Sequence, residues 1–566
     1  MSSQVAQPAS PILGSQPRFA VERLVSALLH VRSVLLVSAA LIAGTLWWCL
    51  HQSYNVLLSY ADVPTHLNLA RRVSDDLHPG LGQLGAYWLP LAHVIELPFV
   101  WIDALWRSGL AGTIPSMGCY LLSVWLIYRL AELATDQKMP AVIAALAFAA
   151  NPNVLYLHVL AMFEPAIIAS MLLAVYLLAR WLRFGGFAPL VGTAAAMSVA
   201  CTSRYEIWSV ALASAPVVAL ALWQQGCRAA RLRARLLLYL LLAWYGMALW
   251  VIWNLSLQGD PIYFLHPSFN KGLNEAALAV LTKRQILRAG AYVFYSVKDN
   301  AGWILIALGA AGLWRFATTF GLRARGMWLY LLIMPAAFDI FYLWFKGTPP
   351  ITVPELYPGA PGNIRYGVVS LPFLCLATAY LACRPELVDR AGAAVRALVP
   401  LRWVWGLGQL AVLGAVLLQP IKLVQSHQVV SFNEPNRPDY LAQQRVRTAT
   451  GQWLGRHYDG GLILMSTFKG ADRIILDSGL EDHSFVHEGS QNTWKCALKR
   501  PQRWVRWVVL YKRGDGAVSL VNSQSVGGRE YFRLVKSIGG SDGYWIFRRN
   551  SKPWPPKHLL HPSPCD

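Results

Sequence analysis

The sequence predicts a mainly α polytopic membrane protein: a bundle of about eleven transmembrane helices, followed by a small C-terminal α/β soluble domain. Three observations predict this class. Apolar runs of about 20 residues, the length that crosses a ~30 Å hydrocarbon core as a helix, recur between residues 34 and 421. Alternate gaps between these runs are basic. After residue 423 the runs stop, and short apolar segments separated by Gly- and Asp-containing turns replace them. Composition agrees. The chain is 55% hydrophobic and only 14% charged, where a soluble domain carries about a quarter charged residues.

The expected spans lie near 34–52, 110–130, 140–156, 165–182, 188–202, 206–223, 236–255, 301–316, 327–345, 366–382 and 403–421. "TSRYE" interrupts the pair around 188–223, which reads either as two spans or as one broken helix. Residues 1–33 are polar at the start and form a cytoplasmic segment with Arg18, Arg23 and Arg32. They contain no cleavable signal, because the apolar run that follows is too long and too far in. With that end inside, the cytoplasmic gaps receive Lys138, Arg180, Arg183, Arg228, Arg231, Arg233, Arg235, Arg315, Arg323, Arg325, Arg384, Arg390, Arg396 and Arg402, as the positive-inside rule requires. The opposite face receives Asp62, Asp75, Asp76, Glu164, Glu206, Asp260, Asp299 and Glu355. The net charge of +21 is therefore spread over membrane-flanking loops, which argues against a nucleic-acid partner. The expected location is a bacterial inner membrane, with residues 34–423 as the membrane domain and 424–566 on the periplasmic side.

The first outer loop, 53–109, is more than a linker. Residues 64–77 place leucine and valine at helical spacing, and "YWLPLAHVIELPFVWIDALW" is apolar but broken by Pro90 and Pro98. Both read as helices lying at the interface. In the C-terminal domain "PDYLAQQRVRTATGQWLGRHY" reads as a helix, and "GLILMS", "RWVVLYK", "YFRLVKSI" and "YWIFRR" read as strands. None of the eight cysteines forms a CxxC pair, and most sit in apolar runs as packed thiols. Cys496 and Cys565 are the two in the polar region, where a disulfide requires a compartment outside the cytosol.

Four carboxylates fall at or inside the outer ends of expected helices: Asp62, Glu164, Glu206 and Asp339. Acids at the membrane edge are unfavourable there and tend to be retained for function, so their gathering on one side predicts a polar outer cavity. Cations stand ready to join them: Arg71 and Arg72 in the first loop, Arg204 beside Tyr205, Lys346 after the ninth span, and Arg365 beside Tyr366. Arginine forks match phosphate oxygens in pairs of hydrogen bonds. His66 lies four residues from Asp62 and is placed to orient it. "EDHSFVHE" at 481–488 holds His483 and His487 among acids. A metal on a helix would suit that spacing, but an exposed loop or solvated helix face is the expectation.

Several of these strings resemble the GT-C superfamily of integral-membrane glycosyltransferases, in particular the protein O-mannosyltransferase and aminoarabinose transferase group. The matching elements are "SYADVPTH", "LARRVSDD", "QLGAYWLPLAHVIELPF", "MFEP", "SRYE" and "NIRY", and the layout covers essentially the whole chain. The resemblance implies a sugar moved from a polyprenyl-phosphate donor to an acceptor hydroxyl of a glycan, lipid or protein, with inversion. It makes Asp62 the general base. Glu164, Glu206 and His66 become supporting groups, and Arg204, Tyr205, Arg365, Tyr366, Lys346, Arg71 and Arg72 become candidates to hold the donor phosphate. Many members carry Asp-Glu or Asp-Asp at the catalytic position, whereas here Val63 follows Asp62. A second carboxylate is missing there, so no metal ligand is assigned, no cofactor is required, and a divalent metal stays an open alternative. Two other readings share the charged cavity. A flippase or transporter of a lipid-linked saccharide would favour internal repeats, which are absent from the sequence. A glycan ligase is separated poorly by sequence.

Overall fold

The computed structural model describes residues 29–266, 281–320, 324–347, 351–357, 362–384, 399–467, 470–513 and 531–550. Most of the expected cytoplasmic N-terminal segment, and Cys565, lie outside them. The protein is an integral membrane protein. Among the described residues, seven helices are long and apolar enough to cross a bilayer, and nine if each of two bent pairs counts as one span. The bent pairs are Ala229–Ala243 with Tyr245–Gln258, at 44°, and Ile286–Ala301 with Trp303–Thr319, at 109°. The remaining two expected spans, 140–156 and 188–202, contain Lys138–Ala149 and Phe187–Ala200, helices of 12 and 14 residues. These are shorter than the ~20 residues a free-standing span needs. The 188–223 stretch therefore forms two helices, with Cys201–Tyr205 between Phe187–Ala200 and Glu206–Gln224.

Burial sorts the helices into layers. Val31–Leu50 is only 22% buried and turns Leu36, Trp47 and Leu50 outward, as a helix against lipid does. Phe163–Phe184 is 78% buried and Ile364–Ala382 is 89% buried, so these two form the centre of the bundle. Trp303–Phe320 packs closely on Leu371–Ala382. A Cβ at Gly312 would lie 1.9 Å from the Ala377 carbonyl oxygen, so only glycine permits the approach. Gly312→Ala must push the two backbones apart. It should destabilise the folded protein by about 1–3 kcal/mol, read as a lower thermal midpoint in detergent.

The segment after the first span folds as a helix, as expected, and is packed against other parts of the chain. Its helix, Asp62–Arg71, buries Val63, Pro64, His66, Leu67, Asn68, Ala70 and Arg71. Much of the cover comes from the far end of the chain. Asn68 donates to Asp472 Oδ1 at 3.0 Å, Thr65 donates to Asp472 Oδ2 at 2.7 Å, and Arg473 donates to the Leu58 carbonyl at 2.8 Å. Two short helices, Leu91–Val100 and Asp103–Ser108, complete this layer.

The C-terminal domain opens with the helix Pro438–His457. Among the described residues its sheet has five strands: β1 (Ile463–Met465), β2 (Phe485–Val486), β3 (Trp507–Tyr511), β4 (Phe532–Ile538) and β5 (Tyr544–Arg549), in the order β2-β1-β3-β5-β4. β1 pairs in parallel with β2 and β3, and β5 runs antiparallel to β3 and β4. Four of the strands are those read from the sequence. β2 spans two residues, too few for an alternating pattern to register. Cys496 is disulfide-bonded.

Candidate active site

The two central helices and the first outer helix begin at a shared point. Asp62 opens Asp62–Arg71, Glu164 sits in the first turn of Phe163–Phe184, and Arg365 lies in the 3-10 turn Ile364–Ser370 that leads into Leu371–Ala382. Arg365 Nη2 reaches Asp62 Oδ2 at 2.5 Å, its Nε stands 3.3 Å from Glu164 Oε1, and its Nη1 donates to Glu434 Oε1 at 3.4 Å. Arg204 continues the chain of charges, 3.5 Å from Glu164 Oε1 and 2.8 Å from Glu206 Oε1. Its guanidinium lies over the Tyr366 ring, 3.9 Å from the centroid. Asp339 lies within electrostatic reach of Arg204 and Glu206. Of the residues expected at the site, Asp62, Glu164, Arg204, Glu206, Arg365, Tyr366 and Asp339 are thus brought together.

A cavity of about 260 Å³ opens on the Asp62 side of this network, lined by Tyr60, Asp62, Asn363, Arg365, Glu434 and Tyr440 among others. Exposure separates the carboxylates. The Asp62 side chain is 38% exposed, whereas that of Glu164 is 1% exposed. Asp62 can therefore meet a molecule in the cavity, and Glu164 serves as the buried bridge between the two arginines.

Other expected residues are placed elsewhere. His66 is buried away from solvent. Its Nδ1 meets His93 Nε2 at 3.2 Å and its ring packs on Phe163 and Trp88. Burial first, then the Arg365 and Arg204 charges, pushes it down to about 3, so it is neutral. Tyr205 donates its hydroxyl to the Tyr87 carbonyl, accepts from Trp250 and stacks on Phe264. Lys346 caps the helix Met334–Phe345 and donates to the Leu265 carbonyl at 2.7 Å. Arg71 is engaged by Asp75, Asp103 and Glu481, and Arg72 by Asp472 and Asp482. Both arginines join the first outer helix to the C-terminal domain rather than reaching the cavity network. His483 is exposed as expected, but His487 is fully buried between Asp76 and Asp482. That corrects the expectation of a solvated 481–488 segment, for the first outer loop covers its far end.

Sequence reasoning missed Glu434. It accepts the backbone N–H groups of Asn363 and Ile364 at 3.0 and 3.2 Å, and so fixes the turn that carries Arg365. Asn363 needs fixing, since its φ of 56° is a left-handed conformation that few residues adopt. Burial raises the Glu434 carboxyl above its ordinary range, against the pull of Arg365 and of the two N–H groups. The signal was present. Glu434 stands one residue beyond the apolar helix Val404–Asn433, at a helix end like the other acids. Tyr60 and Tyr440, also missed, tie the cavity wall together: Tyr60 donates to the Ser431 carbonyl at 2.9 Å, and Tyr440 accepts the Ala61 N–H at 2.7 Å.

No protein-family model and no curated protein matches the sequence. Solved structures do. The structure is similar to ArnT from Cupriavidus metallidurans bound to undecaprenyl phosphate, with a TM-score of 0.53 at 12% identity, over 88% of this chain and 97% of that one. The apo state of the same protein gives a TM-score of 0.52 at 12% identity, over 89% and 98%. The oligosaccharyltransferase AglB from Archaeoglobus fulgidus, in complex with an inhibitory peptide and a dolichol-phosphate, superimposes less closely. Its TM-score is 0.46 at 12% identity, over 93% of this chain and 74% of that one. The chain therefore shares the overall fold of ArnT across most of its length.

Proposed function

We propose that this protein is a glycosyltransferase that moves a sugar from a polyprenyl-phosphate donor to an acceptor hydroxyl on the outer face of the membrane, with Asp62 as general base. The observation that carries the reading is the Asp62–Arg365 pair: an accessible carboxylate on the cavity wall, held by a buried guanidinium with Arg204 behind it. The undecaprenyl phosphate bound to ArnT supports a lipid-phosphate donor. The disulfide at Cys496 supports an extracytoplasmic position for residues 424–566, because disulfides persist outside the reducing cytosol.

The chemistry follows from the charges. As the bond between the anomeric carbon and the phosphate oxygen breaks, its electron pair leaves with the phosphate. Fixed guanidinium donors stabilise the charge that develops there. Arg365 and Arg204 are such donors, and their carboxylate partners hold them in place before the donor arrives. The acceptor oxygen forms the new bond from the opposite face of the sugar and passes its proton to Asp62. A single displacement inverts the anomeric centre. Asp62 and Glu434 both point at Arg365, so its guanidinium fills the position between them that a divalent ion would need, and the reading invokes no metal.

Mass spectrometry of lipid-linked sugars and surface glycans, with and without the protein, tests the proposal. Loss of one sugar from the glycans together with a rise in its polyprenyl-phosphate donor is expected. Unchanged pools of both would refute it, and a rise in a complete lipid-linked glycan would point instead to a ligase.

A further inference from the structure

A second charged cluster lies between the first outer loop and the C-terminal domain. It contains Asp76 from the loop with Asp482 and His487 from the domain, and all three side chains are 0% exposed. Each is fixed on one side. Asp76 Oδ1 accepts the His78 N–H at 2.8 Å and the Gln83 amide at 3.0 Å. Asp482 Oδ2 accepts from Arg72 Nε at 3.1 Å. His487 is turned by the Gly489 N–H, 3.0 Å from Nδ1. The three side chains converge. His487 Nε2 lies 3.0 Å from Asp76 Oδ2 and 3.4 Å from Asp482 Oδ2, and one donor atom from each residue falls within 4.8 Å of the others. Yet Asp76 Oδ2, Asp482 Oδ1 and His487 Nε2 have no aligned hydrogen-bond partner.

Buried polar atoms are rarely left so. A proton on Nε2 would satisfy one carboxylate oxygen at most and leave the other buried and bare. Charge adds to the argument. Arg72 pairs with Asp472 and Asp482, and Asp76 stands beside Asp482, so three buried carboxylates share one guanidinium. A cation between the three side chains takes one donor atom from each and offsets the excess. Nitrogen and oxygen ligands about 2.0–2.2 Å from a tetrahedral ion stand about 3.3–3.6 Å from each other, close to the spacings observed. The donor set of one imidazole and two carboxylates is of borderline softness and suits zinc among the divalent ions.

We propose that Asp76, Asp482 and His487 bind a divalent cation of the zinc class, which pins the C-terminal domain to the first outer loop. The site is separate from the Asp62 cavity, and the proposal stands or falls independently of the glycosyltransferase reading. Gln83 and Arg72 hold the carboxylates in position, as outer partners of metal ligands do.

The test uses the full chain purified in detergent without chelators. Metal analysis by mass spectrometry should find about one divalent ion per chain. Stripping with a chelator should lower the thermal midpoint, and zinc added back should restore it. His487→Asn and Asp76→Asn should each weaken zinc binding by more than ~10-fold. Should a variant fail to fold, the stripping and re-addition of zinc on the unmodified protein still decide the question. A protein that carries no divalent ion as purified, and whose midpoint does not respond to zinc after stripping, overturns the proposal. The Gly489 contact then means that Nε2 keeps its proton and shares it between the two carboxylates.

Discussion

Turnover by the Asp62→Asn protein should fall by a factor on the order of 10²–10⁴, the range that removal of a general base produces. Expression and donor binding should stay close to those of the unmodified protein. Asparagine keeps the shape of the side chain and can still accept from Arg365, but it cannot take a proton from the acceptor. Arg365 also retains Glu164 and Glu434 as partners, so the fold is not left with an unpaired guanidinium. Glu164→Gln is the control. Its side chain is 1% exposed and touches both arginines, so the substitution should disturb donor binding rather than proton transfer. Steady-state kinetics with a lipid-linked sugar separates the two. Normal turnover by Asp62→Asn beside a dead Glu164→Gln would mean that the other carboxylate is the base. Full activity in both would mean that the cavity is not catalytic.

Arg365→Ala should be more damaging to the fold than any other single change in this network. Asp62, Glu164 and Glu434 all meet Arg365, whose side chain is 7% exposed. Removing one partner from a buried ion pair destabilises by about 3–5 kcal/mol, because the remaining charge is left in a poorly solvated place. A sharp fall in the thermal midpoint in detergent should accompany a loss of undecaprenyl-phosphate binding in nanodiscs. Arg365→Lys separates the two effects. Lysine restores the charge but lacks the planar fork that serves several oxygens at once. The lysine variant should therefore recover most of the stability while donor binding stays impaired. Equal donor affinity in the unmodified, lysine and alanine proteins would remove Arg365 from the phosphate site.

What the sequence made legible depended on how local the signal was. Apolar runs mark helices one at a time, and each expected span contains helix. Short apolar segments between turn residues marked β1, β3, β4 and β5 for the same reason. The acids Asp62, Glu164 and Glu206 stood out because membrane edges disfavour charge. Glu434 obeyed that rule but lay in "SFNEPNRPDY", which reads as a linker because nothing nearby shows the turn at 363–364 that it stabilises. Arg71 and Arg72 were misleading for the opposite reason. Arginines near a membrane site look ready for a phosphate until their actual partners, Asp472, Glu481 and Asp482, are known. Those lie about 400 residues later, beyond the reach of any periodicity argument. His487 was read as solvated because its burial comes from Asp76 and Gln83 in a separate part of the chain.

The cavity wall also sets a clock. Asp62 is made early, but Arg365 follows 303 residues later, which at 5–20 residues per second is about 15–60 s of synthesis. Glu434, which holds the turn bearing Arg365, comes later still. During that interval the first outer helix has left the ribosome without its guanidinium partner or the domain that buries it. The segment that closes over Asp62 is therefore made well after it. The nascent protein passes through a stage in which its membrane helices are inserted but its chemistry is not yet built.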